Sequence, residues 1–158
     1  MEDVHHSLAD LLLEKHIMVG LKSRNAQSAI RQLGRTLVES DHVHPEFIED
    51  VCKRERIFPT GLPTEPFATA IPHADPTHVL RSALSIGILA SPVSFSQMGT
   101  DGSVQVQVRI IFLLAIKQRE KQVGMLQELV GLIQNPFLLT QLVNADRPHS
   151  ALEILKQT

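Results

Sequence analysis

The segment from Ile110 to Ile116, reading Ile-Ile-Phe-Leu-Leu-Ala-Ile, constrains the fold of this chain more than any other. It has no polar face to turn toward water, so whatever structure it adopts must be covered on both sides. As a membrane helix it is far too short, since a bilayer needs roughly 20 apolar residues. Just before it, Val104, Val106, Val108, Ile110 and Phe112 alternate with Gln105, Gln107, Arg109 and Ile111, which is the period of a strand. A strand half covered at its start and fully covered at its end belongs in the middle of a sheet.

The flanking segments supply the covering layers. Ala83 to Ala90 is a second apolar run of strand length, with Val93 to Phe95 as a short continuation after Pro92, and Gly99-Thr100-Asp101-Gly102 is a turn signal. Upstream, Leu8, Leu11, Leu12 and Leu13 suggest a short amphipathic helix, and His16 to Leu21 a first strand. A helix capped by Ser23 or Asn25 follows, with Ala26, Ile30, Leu33, Leu37 and Val38 at helical spacing and an end near Ser40-Asp41. Another starts at His44-Pro45, buries Phe47, Ile48, Val51 and Cys52, and ends in Lys53-Arg54-Glu55-Arg56. Downstream, three helices are expected at about 120 to 133, 136 to 143 and 149 to 156. Strands gathered in the middle with helices before and after predict an α/β (α+β) fold, a three-layer α/β/α sandwich with a mixed central sheet flanked by helices. At 158 residues the chain reads as a single domain, 1–158.

Composition excludes several classes of function. A formal net charge of -2 gives no general attraction to nucleic acid, and six Phe with no Trp or Tyr leave few stacking platforms for single strands. The single cysteine, Cys52, has no partner for a disulfide, a zinc knuckle or a redox pair, which suits a reducing cytoplasm. The acidic, polar start lacks the pattern of a secretory signal, so no direct membrane insertion is expected. No Gly-x-x-x-x-Gly-Lys-Ser/Thr loop is present to bind ATP phosphates.

Between the second helix and the Ala83 strand lies a stretch with Pro59, Pro63, Pro66, Pro72 and Gly61, expected to be loop until Ala68 to Ile71. That short extended piece ends in Pro72-His73. Pro72 fixes its own φ and biases Ile71 toward extended geometry, so the imidazole of His73 arrives on a restrained backbone. Such a histidine suits general-base, metal-binding or nucleophilic chemistry. Arg54, at the end of the preceding helix, either complements the helix dipole or offers a planar charged fork to phosphate oxygens.

The string Arg54-Glu55-Arg56-Ile57-Phe58-Pro59-Thr60-Gly61, followed by Ala70-Ile71-Pro72-His73, resembles the phosphorylation-site region of the mannitol/fructose-type enzyme IIA domains (EIIA type 2) of the bacterial sugar phosphotransferase system. The order of helices and strands agrees over nearly the whole chain. Within that superfamily the Phe-Pro-Thr-Gly segment and the spacing from Arg54 to His73 resemble the galactitol-specific branch. The resemblance implies that His73 accepts a phosphoryl group from the carrier HPr and passes it to a cysteine of a IIB component, serving a membrane IIC component and a polyol or sugar. It implies an active-site role for Arg54 and no cofactor or metal. The chemistry fits the residues, since a neutral imidazole can attack phosphorus in line while fixed donors hold the oxygens.

Many relatives carry a second active-site histidine where this chain, registered on Leu126 and Leu129, has Gln122, as in the galactitol branch. Glutamine can donate a hydrogen bond but cannot carry the charge. Gln122 is therefore expected to bind, without acid–base work; a register one residue off would put Lys121 there instead. Thr60 and Thr69 are candidate hydroxyl donors to phosphate. Glu65 would repel phosphate, and Asp75 is expected to tighten a turn. His5-His6 and His42-x-His44 are read as exposed rather than as metal pairs, His78 as a surface or helix-start residue that could touch the active loop, and Cys52 as core. The same residues also suit two alternatives: a regulatory protein controlled by His73 phosphorylation, and an unphosphorylated protein of this fold.

Overall fold

The computed structural model describes residues 7–158. Its sheet has five strands, β1 (Ile17–Leu21), β2 (Gly61–Leu62), β3 (Ala68–Ala70), β4 (Ala83–Ser96) and β5 (Gln105–Ala115), in the order β1-β4-β5-β3-β2. The apolar run of β5 takes the central place that its composition requires. It pairs antiparallel with β4 and parallel with β3, while β1 lies parallel to β4 and β2 antiparallel to β3. The sheet is therefore mixed.

Helices α1 (Ala26–Glu39) and α2 (Glu46–Ile57) bury Ile30, Leu33, Phe47 and Val51 against one face, with Leu89, Phe95, Ile111 and Leu113 from the strands. On the other face α3 (Arg119–Leu132), α4 (Pro136–Val143) and α5 (Pro148–Lys156) bring Met125, Leu129, Leu139, Leu142 and Leu155 onto Ile86, Ile88, Ile110, Phe112 and Leu114. The expected α/β/α layering is present. Capping explains where two of the helices begin. Asn25 accepts a hydrogen bond from the Ser28 amide at 2.8 Å to start α1, and Asn135 accepts from Phe137 and Leu138 to start α4, with Pro136 in its first turn.

Four local features differ from the sequence reading. The leucine-rich start forms two 3₁₀ turns, Leu8–Leu11 and Glu14–His16, because so short a segment gains too little to nucleate an α-helix; Leu8 and Leu11, three apart, still bury. β4 is one strand of 14 residues, with a shift in its pairing between Ile88 and Val93 that accommodates Pro92. The alternation in β5 is broken at Arg109, since β3 pairs Ala68 with Val108 and then Thr69 with Ile110. This bulge puts Val106 and Val108 on the α1/α2 face but Ile110, Phe112 and Leu114 on the opposite one. The Arg109 Nε donates to the Leu89 carbonyl at 3.1 Å, and its guanidinium lies 5.6 Å from the Phe67 ring centroid. The proline-rich stretch, finally, holds β2 as well as loop.

β2 explains the glycine of the Phe-Pro-Thr-Gly segment. A Cβ at Gly61 would lie 2.7 Å from the Ser96 carbonyl oxygen and 2.7 Å from Val106 Cγ2. The carbonyl belongs to the sheet and cannot step aside. Gly61→Ala is expected to lower stability by about 1–3 kcal/mol, read as a lower denaturation midpoint at unchanged slope, and to displace the neighbouring Thr60.

Candidate functional site

The chain leaves β3 at Ala70 and runs on beside β5. Leu114 donates its N–H to the Pro72 carbonyl at 3.1 Å, and His73 forms an isolated parallel bridge with Leu114. Pro72, which has no N–H to offer, is thus fixed through its acceptor. His73 is half-buried, and its Nδ1 donates to the Ile71 carbonyl at 2.9 Å. A carbonyl can only accept, so the proton sits on Nδ1 and the lone pair on Nε2. Burial holds the imidazole pKa below its ordinary value of 6.5; the Ile71 hydrogen bond opposes this, and the Arg54 charge adds to it. At neutral pH the ring is a neutral nucleophile.

His73 lines a groove of about 380 Å³ together with Ile71, Met98, Val123, Leu126, Gln127 and Val130. Arg54 lines a second cavity, of about 370 Å³, with Phe58, Ala74, Asp75 and His78, so the loop that follows His73 separates the two. Arg54 is exposed in the last turn of α2, its guanidinium carbon 5.1 Å from the centroid of the Phe58 ring. The Phe58 amide donates to the Arg54 carbonyl at 2.7 Å, which closes the helix and sets that stacking.

Gln122 reaches the site from the first turns of α3. Its Nε2 donates to the Ala74 carbonyl at 2.7 Å, tying the helix to the residue after His73. Gln122 thus holds the loop that follows His73. Asp75 accepts from the Thr77 hydroxyl at 2.9 Å and tightens the turn as expected. Glu65 is exposed.

The two threonine hydroxyls expected to meet phosphate are engaged within the protein. Thr60 is 3% exposed and gives both its amide and its hydroxyl to the Glu55 carboxylate, each at 2.8 Å. Thr69 is fully buried, 3.0 Å from the Thr64 hydroxyl; that hydroxyl donates to Phe67, so the Thr69 proton goes to Thr64. Both hydroxyls are consumed in holding β2 and β3.

The histidines divide differently from the sequence reading. His42 is buried, with Nδ1 2.8 Å from the Ser40 hydroxyl, which also lies 2.7 Å from Nε2 of buried His16. Burial, then the charges of His42, Lys15 and Arg81, lowers the His16 pKa to about 4. His44 is exposed. His78 ends a 3₁₀ turn, Pro76–His78, and pairs with Asp50 at 2.5 Å, a contact that raises its pKa. His5-His6 lies outside the described residues. Cys52 is core, its thiol pushed up by burial. Among the described residues no helix is long and apolar enough to cross a membrane.

An imidazole aimed by its own backbone beside a permanent cation is an arrangement for receiving a phosphoryl group. Comparison with known proteins agrees. Residues 10–158 match the model of the family described as "Phosphoenolpyruvate-dependent sugar phosphotransferase system, EIIA 2".

The chain belongs to this family.

This IIA domain is 27% identical over 124 residues to the galactitol-specific EIIA component of Escherichia coli (strain K12), covering 78% of the chain and 81% of that relative. It is 32% identical over 149 residues to a multiphosphoryl transfer protein of Shigella flexneri, which covers 92% of the chain but only 17% of that longer protein. Among solved structures, the IIA mannitol of Escherichia coli superposes with a TM-score of 0.76 at 22% identity, over 91% of the chain and 98% of its own, and supports the fold. As a IIA domain the chain is a phosphoryl carrier, a phosphotransferase component that works through a phosphohistidine. One buried charge escapes a reading of the sequence: Glu55, hidden in the run Lys53-Arg54-Glu55-Arg56.

Proposed function

We propose that His73 is the phosphohistidine of this carrier, taking phosphate from HPr in the cytoplasm and giving it to the cysteine of a IIB component that serves a membrane IIC transporter. The supporting observation is the Nδ1–H bond to Ile71, which leaves the lone pair on Nε2 of a ring that lines the open groove. In the first transfer that lone pair forms the new N–P bond while the N–P bond to the donor imidazole breaks, its electrons staying on the donor nitrogen. In the second, a IIB thiolate attacks phosphorus and the electron pair returns to Nε2. Arg54 faces the phosphate oxygens during both steps, and Gln122 keeps the loop after His73 in place. The whole 1–158 segment acts as one such domain.

The site's rim is apolar, as a protein partner requires: Val123 is 64% exposed, Ile57 60%, Phe58 59% and Met98 39%. Likeness to the galactitol component at 27% identity supports a polyol such as galactitol as the final acceptor. The test starts from the phosphorylated domain and offers it purified IIB proteins of galactitol, mannitol and fructose systems. Transfer to the galactitol IIB at a rate at least about tenfold above the others supports the assignment. Phosphate that is accepted from HPr but passed to none of them would sink the transport role in favour of regulation.

A further inference from the structure

Glu55 is 7% exposed, and a buried carboxylate calls for a reason because it loses its water. Here the compensation is specific. Oε2 accepts from the Thr60 amide and Oε1 from the Thr60 hydroxyl, both at 2.8 Å. The Thr60 carbonyl in turn accepts from the Ile71 amide at 3.4 Å, and the Ile71 carbonyl accepts from His73 Nδ1 at 2.9 Å. Four residues, Glu55 on α2 and three in the segments just before β2 and just after β3, form one chain of contacts that ends on the imidazole.

We propose that Glu55 is a positioning residue for His73: its carboxylate clamps Thr60, Thr60 holds Ile71, and the Ile71 carbonyl fixes the proton on Nδ1 so that Nε2 faces the groove. The sequence neighbours make this economical. Arg54 and Glu55 are adjacent on α2, so one points to solvent at the site and the other into the protein behind it. The clamp on Thr60 also fixes the loop that carries Phe58, on which the Arg54 guanidinium rests. A single helix end thus sets both the cation and the orientation of the nucleophile.

Burial drives the Glu55 pKa up to about 7, against the opposing effects of the two Thr60 bonds and the Arg54 charge. Arg54 is the charged neighbour acting on it, and the Cys52 thiol one turn earlier is the other titratable group in range. Above that pH the carboxylate accepts both Thr60 donors at full strength; below it a proton competes for one oxygen and the clamp slackens.

This inference rests on His73 being the phosphoryl acceptor, but one arm of its test does not. In wild-type protein with ¹⁵N-labelled histidine, the His73 ring signals followed from about pH 5 to pH 9 are expected to show His73's own titration below 6.5 and a second inflection near pH 7. Glu55→Gln, which keeps the shape but can accept only one Thr60 donor, removes the second inflection and mixes the two ring tautomers. An unchanged Nδ1–H signature in Glu55→Gln overturns the proposal. In the transfer arm Glu55→Gln is expected to accept phosphate about 10- to 100-fold more slowly while still folded, with a lowered melting temperature from the unpaired Thr60 donor; a wild-type rate overturns it. Thr60→Val keeps the amide donor and loses the hydroxyl, so it gives a smaller fall in rate and a smaller tautomer change, and it decides the matter should Glu55→Gln fold poorly. Absence of label on wild-type protein would count against the acceptor role alone.

Discussion

His73→Gln is expected to abolish phosphoryl acceptance from HPr, with no radiolabel retained after acid-free electrophoresis, while the protein stays folded. The side chain is half-buried and makes a single recorded hydrogen bond, to Ile71, so its loss costs stability on the order of 1 kcal/mol. The chemistry has no substitute. An amide nitrogen has no available lone pair, and among the described residues His78 is paired with Asp50 while His16 and His42 are buried beside Ser40. Label persisting in His73→Gln would end the assignment. Wild-type protein adds a pH signature. Because burial lowers the His73 pKa, the ring is neutral at pH 7, and acceptance should decline in two stages on acidification, first as Glu55 protonates near pH 7 and then, below 6.5, as His73 itself takes a proton. Stability follows the same sign: the unfolded histidine protonates first on acidification, so His73 contributes to loss of stability below pH 6.5, seen as a falling melting temperature.

Much of the fold was legible because burial dictates it. The β5 run has no polar face and sits in the centre; Asn25, one of two candidate caps, starts α1; the helix stripes of α1 and α2 are buried as spaced. What escaped depends on tertiary pairing. Arg109 preserves a polar alternation in the sequence while a bulge reverses the faces on either side of it, and no local pattern marks that. β2 is two residues between prolines and is a strand only because Ala70 and Thr69 are there to pair with it. At the site, His73 stood out by its restrained backbone, whereas Arg54 and Gln122 were singled out by the resemblance to IIA domains. Thr60 and Thr69 looked like donors because a hydroxyl in a sequence carries no sign of its partner. Glu55 went unremarked among three basic residues, yet it stands four residues after Val51 and three after Cys52, on the buried stripe of α2, and that period was the available signal.

Arg54→Ala is expected to slow phosphoryl acceptance by about 10²- to 10³-fold, the scale for removing one donor aimed at developing charge. Gln122 has committed its amide to the Ala74 carbonyl and carries no charge, so it cannot compensate. Lys53 and His78 border the same cavity, but an ammonium or imidazolium lacks the planar fork. Stability should change by less than about 0.5 kcal/mol, because the side chain is exposed and its recorded contact is with the equally exposed Phe58. Arg54→Lys separates two roles. If the guanidinium serves as a long-range charge that attracts the phosphorylated partner, lysine restores most of the rate and the remaining defect disappears at saturating HPr. If it grips the moving phosphoryl group, the defect lies in the maximal rate and lysine recovers little. The second outcome is expected, because the loop that Gln122 ties down lies between the Arg54 cavity and the His73 groove, close enough for the Arg54 charge to lower the His73 pKa. A cation that disfavours a protonated imidazole keeps the nucleophile free before the phosphate arrives, and once phosphate is bound the same charge meets its oxygens. Equal maximal rates for wild type and Arg54→Ala would assign Arg54 to docking alone.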